Sequence, residues 1–192
     1  MRQTKRGFIG IFFFTLLIAQ CWAQDGSLRE GDVVPDFTLT NQRGERVSLS
    51  DFKGRGIILS FLYTKCPYPD KCAMVGKKLT SLAKLSKKIG RDKELQVIAI
   101  TIDPANDSPE VLRQYAQGFD QEHENWSFLT GSEDEIARVA GAFGVIYWSE
   151  NGVIEHNLRT AFLDKSGTLR RLKSGSDWKA GTFAAEVEKY FK

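Results

Sequence analysis

The segment SFLYTKCPYPDKCAM, residues 60–74, sets Cys66 and Cys72 on one short loop with Pro67 and Pro69 between them. Two thiols at this spacing can act as a staple, as a redox couple or as two ligands of a metal ion. A staple closing so small a loop constrains the unfolded chain only slightly, which favours chemistry. A metal needs a third group, and the chain has two histidines, His123 and His156. His123 lies in the charged run DQEHENW and reads as a solvated surface residue. His156 follows an Asn-Gly hairpin and directly precedes the apolar segment RTAFLD, a position from which it can face the cysteine loop. Two thiolates and one imidazole suit Cu(I), and also Cu(II) or zinc. Zinc normally takes a fourth ligand, and no further Cys or His is well placed to supply it, so the set leans toward copper.

The elements around these residues follow from hydrophobic period. GIILSFLYT, residues 56–64, is a continuous apolar run of strand length, suited to a strand buried on both faces. Cys66 leaves its C-terminal end, the edge of an open α/β sheet where sites gather. A helix is predicted over 73–89 from the stripe Met74, Leu79, Leu82 and Leu85, with lysines on the other face. Cys72 falls at its start, where the helix dipole favours a thiolate and lowers the thiol pKa. The two prolines keep the loop from winding into helix early, and Asp70 is placed to cap it.

Farther along, LQVIAITI (95–102) predicts a second buried strand. Ser108-Pro109 opens a helix, WSFLT is a short strand, and SEDEIARVAGAFG is a helix capped by Ser132 and ended by Gly144. VIYWSENGVIEH is a hairpin turning at Asn151-Gly152. RTAFLDKSGTLRRL is two strands joined at 165–167, and a last helix covers 181–191. Before all of these, DFTLTNQRGERVSL forms a hairpin from Phe37 and Leu39 through a turn at 42–44 to Val47 and Leu49. The order implies an α/β fold: a central sheet containing parallel strands, flanked by helices on both faces, with an N-terminal β-hairpin.

The first residues differ from the rest. Arg2, Lys5 and Arg6 precede the uncharged run GFIGIFFFTLLIA, and QCWAQ follows with small residues at 21 and 23. This is the pattern of a signal peptide over 1–23, and the apolar run is shorter than the roughly 20 residues of a spanning helix. A retained membrane anchor, or a lipid on Cys21, is the alternative. A lead-in then covers 24–34 and the folded domain 35–192. The chain carries 27 Lys+Arg against 24 Asp+Glu. The three leader bases account for that excess, so the remaining chain is neutral and gives no electrostatic case for nucleic acid.

FLYTKCP, ITIDPANDSPEVLRQYAQGF and VIEHNLRTAFLDKSG, in that order, resemble the Sco/SenC family of copper-binding, thioredoxin-like proteins. The resemblance implies a thioredoxin-like domain with Cys66, Cys72 and His156 as copper ligands, Cys66 and Cys72 as a redox pair, and Asp103 as a nearby acid in a supporting role. It implies a metallochaperone more than a turnover enzyme. Its partners would be the copper-site subunit of a respiratory oxidase and a thioredoxin-like reductant. Its location would be exported, in the periplasm or at the outer face of the cytoplasmic membrane, with a membrane tether as an option. Three departures stand out: C-x5-C where the family has C-x3-C, Ala73 where it has proline, and Asn106 where arginine is common. The competing readings are a thiol–disulfide oxidoreductase, a peroxiredoxin-like peroxidase, and a secreted domain with one structural disulfide.

Overall fold

The computed structural model describes residues 27–119 and 125–191. Residues 1–23, where the sequence suggests a signal peptide, with Cys21, and likewise His123, lie outside the described residues. β1 (Thr38–Asn41) and β2 (Arg46–Ser48) form the expected N-terminal hairpin, with Gly44 at φ 82° in the turn. Leu49 does not extend it, because the chain there enters a 3-10 turn, Leu49–Phe52.

β3 (Gly56–Leu62) and β4 (Leu95–Thr101) are buried along their whole length and pair in parallel. That burial is why both read as unbroken apolar runs rather than alternating ones. β5 (Trp126–Thr130) extends the parallel set on one side of β4. On the other side of β3 lie β8 (Arg159–Leu163) and β9 (Leu169–Ser174), both antiparallel to their neighbours. The sheet order is β2-β1-β5-β4-β3-β8-β9. β6 (Tyr147–Glu150) and β7 (Val153–His156) form a separate hairpin that turns at Asn151-Gly152, both at positive φ. These are the dihedrals of the turn type that Asn-Gly favours.

Helices cover both faces. α1 (Cys72–Lys88) and α4 (Ala180–Glu188) pack over the face that bears Ile58, and α2 (Pro109–Ala116) sets Tyr115 against Phe128 on that same face. α3 (Glu133–Ala142) lies opposite, and Phe143 at its end meets Phe61. Ser132 caps α3 reciprocally with Glu135, and Ser108 caps α2. α1 starts differently from expectation. Its N-cap is Lys71, with no side-chain cap bond, so Asp70 does not cap it. Gly76 fixes how closely α1 approaches the loop after α2, because a Cβ there would run into the Phe119 ring. α1 therefore lies tight against the core with Cys72 at its first turn. Among the described residues no helix is long and apolar enough to cross a membrane.

Candidate metal and redox centre

Three chain segments meet at the C-terminal edge of β3. The β3–α1 loop brings Cys66, the first turn of α1 brings Cys72, and the end of β7 brings His156. Both cysteines are free thiols. Cys72 is 1% exposed and its Sγ lies 3.5 Å from Nε2 of His156, itself 7% exposed. On the other side of the ring, Nδ1–H donates to the carbonyl of Asn157 at 2.9 Å. That bond leaves Nε2 unprotonated and aims its lone pair at the sulfur, the arrangement found in metal-ligating histidines. Burial holds the imidazole below the ordinary histidine pKa, so the ring is neutral at pH 7.

Cys66 is different. It is half-buried, and its S–H donates only a long contact, 3.9 Å, to the Tyr68 carbonyl. Among the described residues no three His, Cys, Asp or Glu side chains are gathered closely enough to hold a metal together. The structure thus pairs Cys72 with His156 and leaves Cys66 at the rim. The expectation of a lowered pKa for Cys72 is reversed. The neighbouring Cys72 thiol draws Cys66 down to about 6, whereas Cys72 is pushed up by the facing Cys66 sulfur and by burial. Position at the helix start lowers a thiol only where it remains accessible, and Cys72 is enclosed.

The loop is fixed by two groups that sequence reasoning missed. Glu155, next to His156, accepts from the Tyr68 hydroxyl and from Lys71 Nζ at 2.9 Å, and Lys71 also lies 4.1 Å over the Tyr68 ring. This clamp ties the C-x5-C loop to the histidine hairpin. At the base of the loop, Asp107 is fully buried. It accepts from the Thr64 amide at 3.1 Å and from the hydroxyls of Thr64 and Thr101, both at 2.5 Å. Asp103 instead receives both oxygens' bonds from the Asn106 amide, at 2.9 and 3.0 Å, and Asn106 in turn accepts from Lys65 Nζ. So the acid that holds the cysteine loop directly is Asp107, and Asp103 orders the turn leading into α2. Both stand in the one run DPAND, and Ser108 as N-cap was the available signal that the residue before it turns inward.

Comparison with known proteins adds three findings. The family model described as SCO1/SenC matches residues 25–192. An SCO2-like protein of Rickettsia typhi is 33% identical over 138 residues, 68% of this chain and 64% of that protein, so the chain spans just under two thirds of that relative's length. Among solved structures, BsSco, described as a member of the Sco family of cytochrome c oxidase assembly proteins with a disulfide switch, superposes with a TM-score of 0.72 at 27% identity, covering 87% of this chain and 98% of that one. Yeast Sco1 with copper bound gives 0.69 at 26% identity, covering 83% and 88%. These likenesses mark the mixed sheet with helices on both faces as a thioredoxin-like architecture.

Proposed function

From the premise that this chain belongs to the SCO1/SenC family, we propose that it binds a copper ion through Cys66, Cys72 and His156 and serves the assembly of the copper site of a respiratory oxidase. The observation that carries this reading is the buried Cys72–His156 pair, with Nε2 free of a proton and directed at Sγ. Two soft sulfurs and one borderline nitrogen form a donor set that prefers Cu(I) to harder ions. The solved yeast relative with copper bound supports the choice of metal, and the description of BsSco supports the choice of process. The copper is cargo, to be taken up and handed on.

Cys72 and His156 form the prepared half of the site, and Cys66 closes it by moving inward on its loop. The Tyr68–Glu155–Lys71 clamp limits how far the loop strays. Joining the two deprotonated sulfurs into a disulfide releases two electrons to an oxidising partner disulfide and removes both sulfur ligands, so metal loading and redox state are linked. A leader of signal-peptide pattern supports action outside the cytoplasm, at the periplasmic or outer face of the membrane. Asp103 serves this site at one remove, through Asn106 and Lys65.

A second reading has its own observation. An accessible, low-pKa Cys66 beside an enclosed, protonated Cys72 is the asymmetry of an attacking and a resolving thiol, which suits reduction of a target's cysteines. A competitive Cu(I) titration of the reduced protein separates the two. One tight equivalent in the parent, lost in Cys72→Ser, supports the copper reading. Absence of tight binding in the parent moves the assignment to thiol–disulfide exchange alone.

A further inference from the structure

The chain beyond its leader is neutral, but its charge is not evenly spread. α1 carries five lysines and no acid. It runs from Cys72 to Lys88, about 25 Å at 1.5 Å per residue, so its far end lies at the edge of the sheet opposite the cysteines. β3 and β4 begin at that edge, with Gly56 paired to Leu95. The loops there add cations. Arg91 and Lys165 share Glu94, at 3.0 and 2.7 Å, and both stand over the Phe191 ring, at 5.7 and 5.6 Å. The Gly54 amide donates to the Lys165 carbonyl, which brings Lys53 to the same end. Lys53, Lys87, Lys88 and Lys93 are exposed and have no ion-pair partner among the described residues. Asp164 is neutralised by Arg170, which leaves Asp92, Glu94 and Glu188 against these six cations.

The same end is apolar at one place. A groove of about 200 Å³ opens between α1 and α4, lined by Ile58, Leu85, Leu95, Val187 and Phe191, with Arg91 on its rim. Ile89, at its lip, is 50% exposed. Unpaired cations around an apolar opening fit a ligand that is anionic at its head and hydrocarbon behind it, the chemistry of an acidic phospholipid. An acidic protein would use the charge and leave the groove unfilled. We propose that this end of the domain docks on a bilayer that contains anionic phospholipid. Lys53, Lys87, Lys88 and Lys93 meet the phosphates, and an acyl chain enters the groove past Ile89. Docked in this way, the domain turns Cys66 and Cys72 away from the lipid and toward water.

The test mixes the full chain with vesicles of phosphatidylcholine alone or of phosphatidylcholine with phosphatidylglycerol. Lysines are then acetylated briefly with an N-hydroxysuccinimide ester and read one by one by mass spectrometry. On the anionic vesicles Lys87, Lys88 and Lys93 react about threefold to tenfold more slowly than on the neutral ones, as expected from a gain of about fivefold in occupancy per lysine. High salt restores the rates, because exposed charges are screened. Lys65, on the cysteine loop at the other end, keeps its rate. The bases of the leader can also hold the chain to a vesicle, but that alone does not protect one end of the domain over the other. Lys87→Gln with Lys88→Gln removes most of the protection of Lys93, and Ile89→Ser removes part of it. Polyglutamate, which offers charge without hydrocarbon, protects less, and Ile89→Ser does not alter that. Equal rates on the two kinds of vesicle overturn the proposal, and so does protection that extends equally to Lys65. Polyglutamate protecting as well as the anionic vesicles, with Ile89→Ser without effect on either, assigns this end to an acidic protein and overturns it too.

Discussion

Cys72 and Cys66 are six positions apart, and the structure holds them by different physics. Cys72 and His156 are enclosed under the sheet edge and joined sulfur to nitrogen, with the ring fixed by a backbone carbonyl. Cys66 rides a loop secured by side chains that water also reaches, Tyr68, Lys71 and Glu155. The inner half cannot shift without disturbing the core, because close-packed interiors tolerate little displacement. The outer half can, because exposed ion pairs are weak and screened. A centre that must take up an ion and then release it is served by this division, one part prepared and one part adjustable.

The contrast can be broken most sharply with copper. Cys72→Ser is expected to lose tight Cu(I) binding entirely, whereas His156→Ala, which leaves both sulfurs, weakens it about 10- to 100-fold, the range seen when a metal-supporting group is removed. Equal affinities for parent and both variants in a chelator competition would remove the inner half from the site.

Stability comes next. Asp107→Ala strands the Thr64 amide and the hydroxyls of Thr64 and Thr101, and should cost about 2–4 kcal/mol in urea unfolding. Cys72→Ser should cost about 1–3 kcal/mol by placing a more strongly solvated hydroxyl in a water-excluded site, and Cys66→Ser less than about 0.5 kcal/mol. Equal costs for the two serine variants would contradict the difference between the halves.

The pH dependence of the reduced protein sharpens it further. Cys66 has a folded pKa of about 6, below an ordinary thiol value of 9.0, so the unfolded state holds more protons between those values. Stability from Cys66 therefore rises with pH from about 6, is fully present above about 9, and is lost as pH falls through 6. Cys72, shifted upward, acts oppositely: it keeps its proton when the unfolded chain gives one up, and it lowers stability above about pH 9. His156, shifted downward by burial, adds to the loss on acidification below about 6.5. The melting temperature should thus climb from pH 6 to 9 and fall beyond, and Cys66→Ser should flatten the climb. Glu155→Gln has the smallest expected effect. It leaves the melting temperature unchanged but speeds alkylation of Cys66 by iodoacetamide about two- to fivefold, since a screened clamp contributes little. An unaltered rate would show that the loop does not depend on the clamp.

The fold was largely legible because its signals are local. The seven buried residues of β3 and of β4 appear as apolar runs, the Ser132–Glu135 box announces α3, and Asn151-Gly152 sets the β6–β7 turn. Cysteine and histidine were legible as candidates because the chain has so few of them. The clamp was not, since Tyr68, Lys71 and Glu155 are ordinary surface types whose partners lie 84 to 87 positions away. Asp107 hid behind Asp103, because which acid of DPAND turns inward depends on the loop that receives it. The ionisation of Cys72 was misread for a similar reason: position on a helix is written in the sequence, but enclosure beside the β6–β7 hairpin is not.

The central claim is that two sulfurs and one imidazole hold the copper, with Cys66 completing what Cys72 and His156 begin. X-ray absorption at the copper edge of the reduced, Cu(I)-loaded protein tests this most directly. The account predicts two sulfur scatterers and one nitrogen, with the nitrogen lost in His156→Ala and one sulfur lost in Cys66→Ser. A spectrum of the parent that His156→Ala leaves unaltered, or one with a single sulfur, would contradict it.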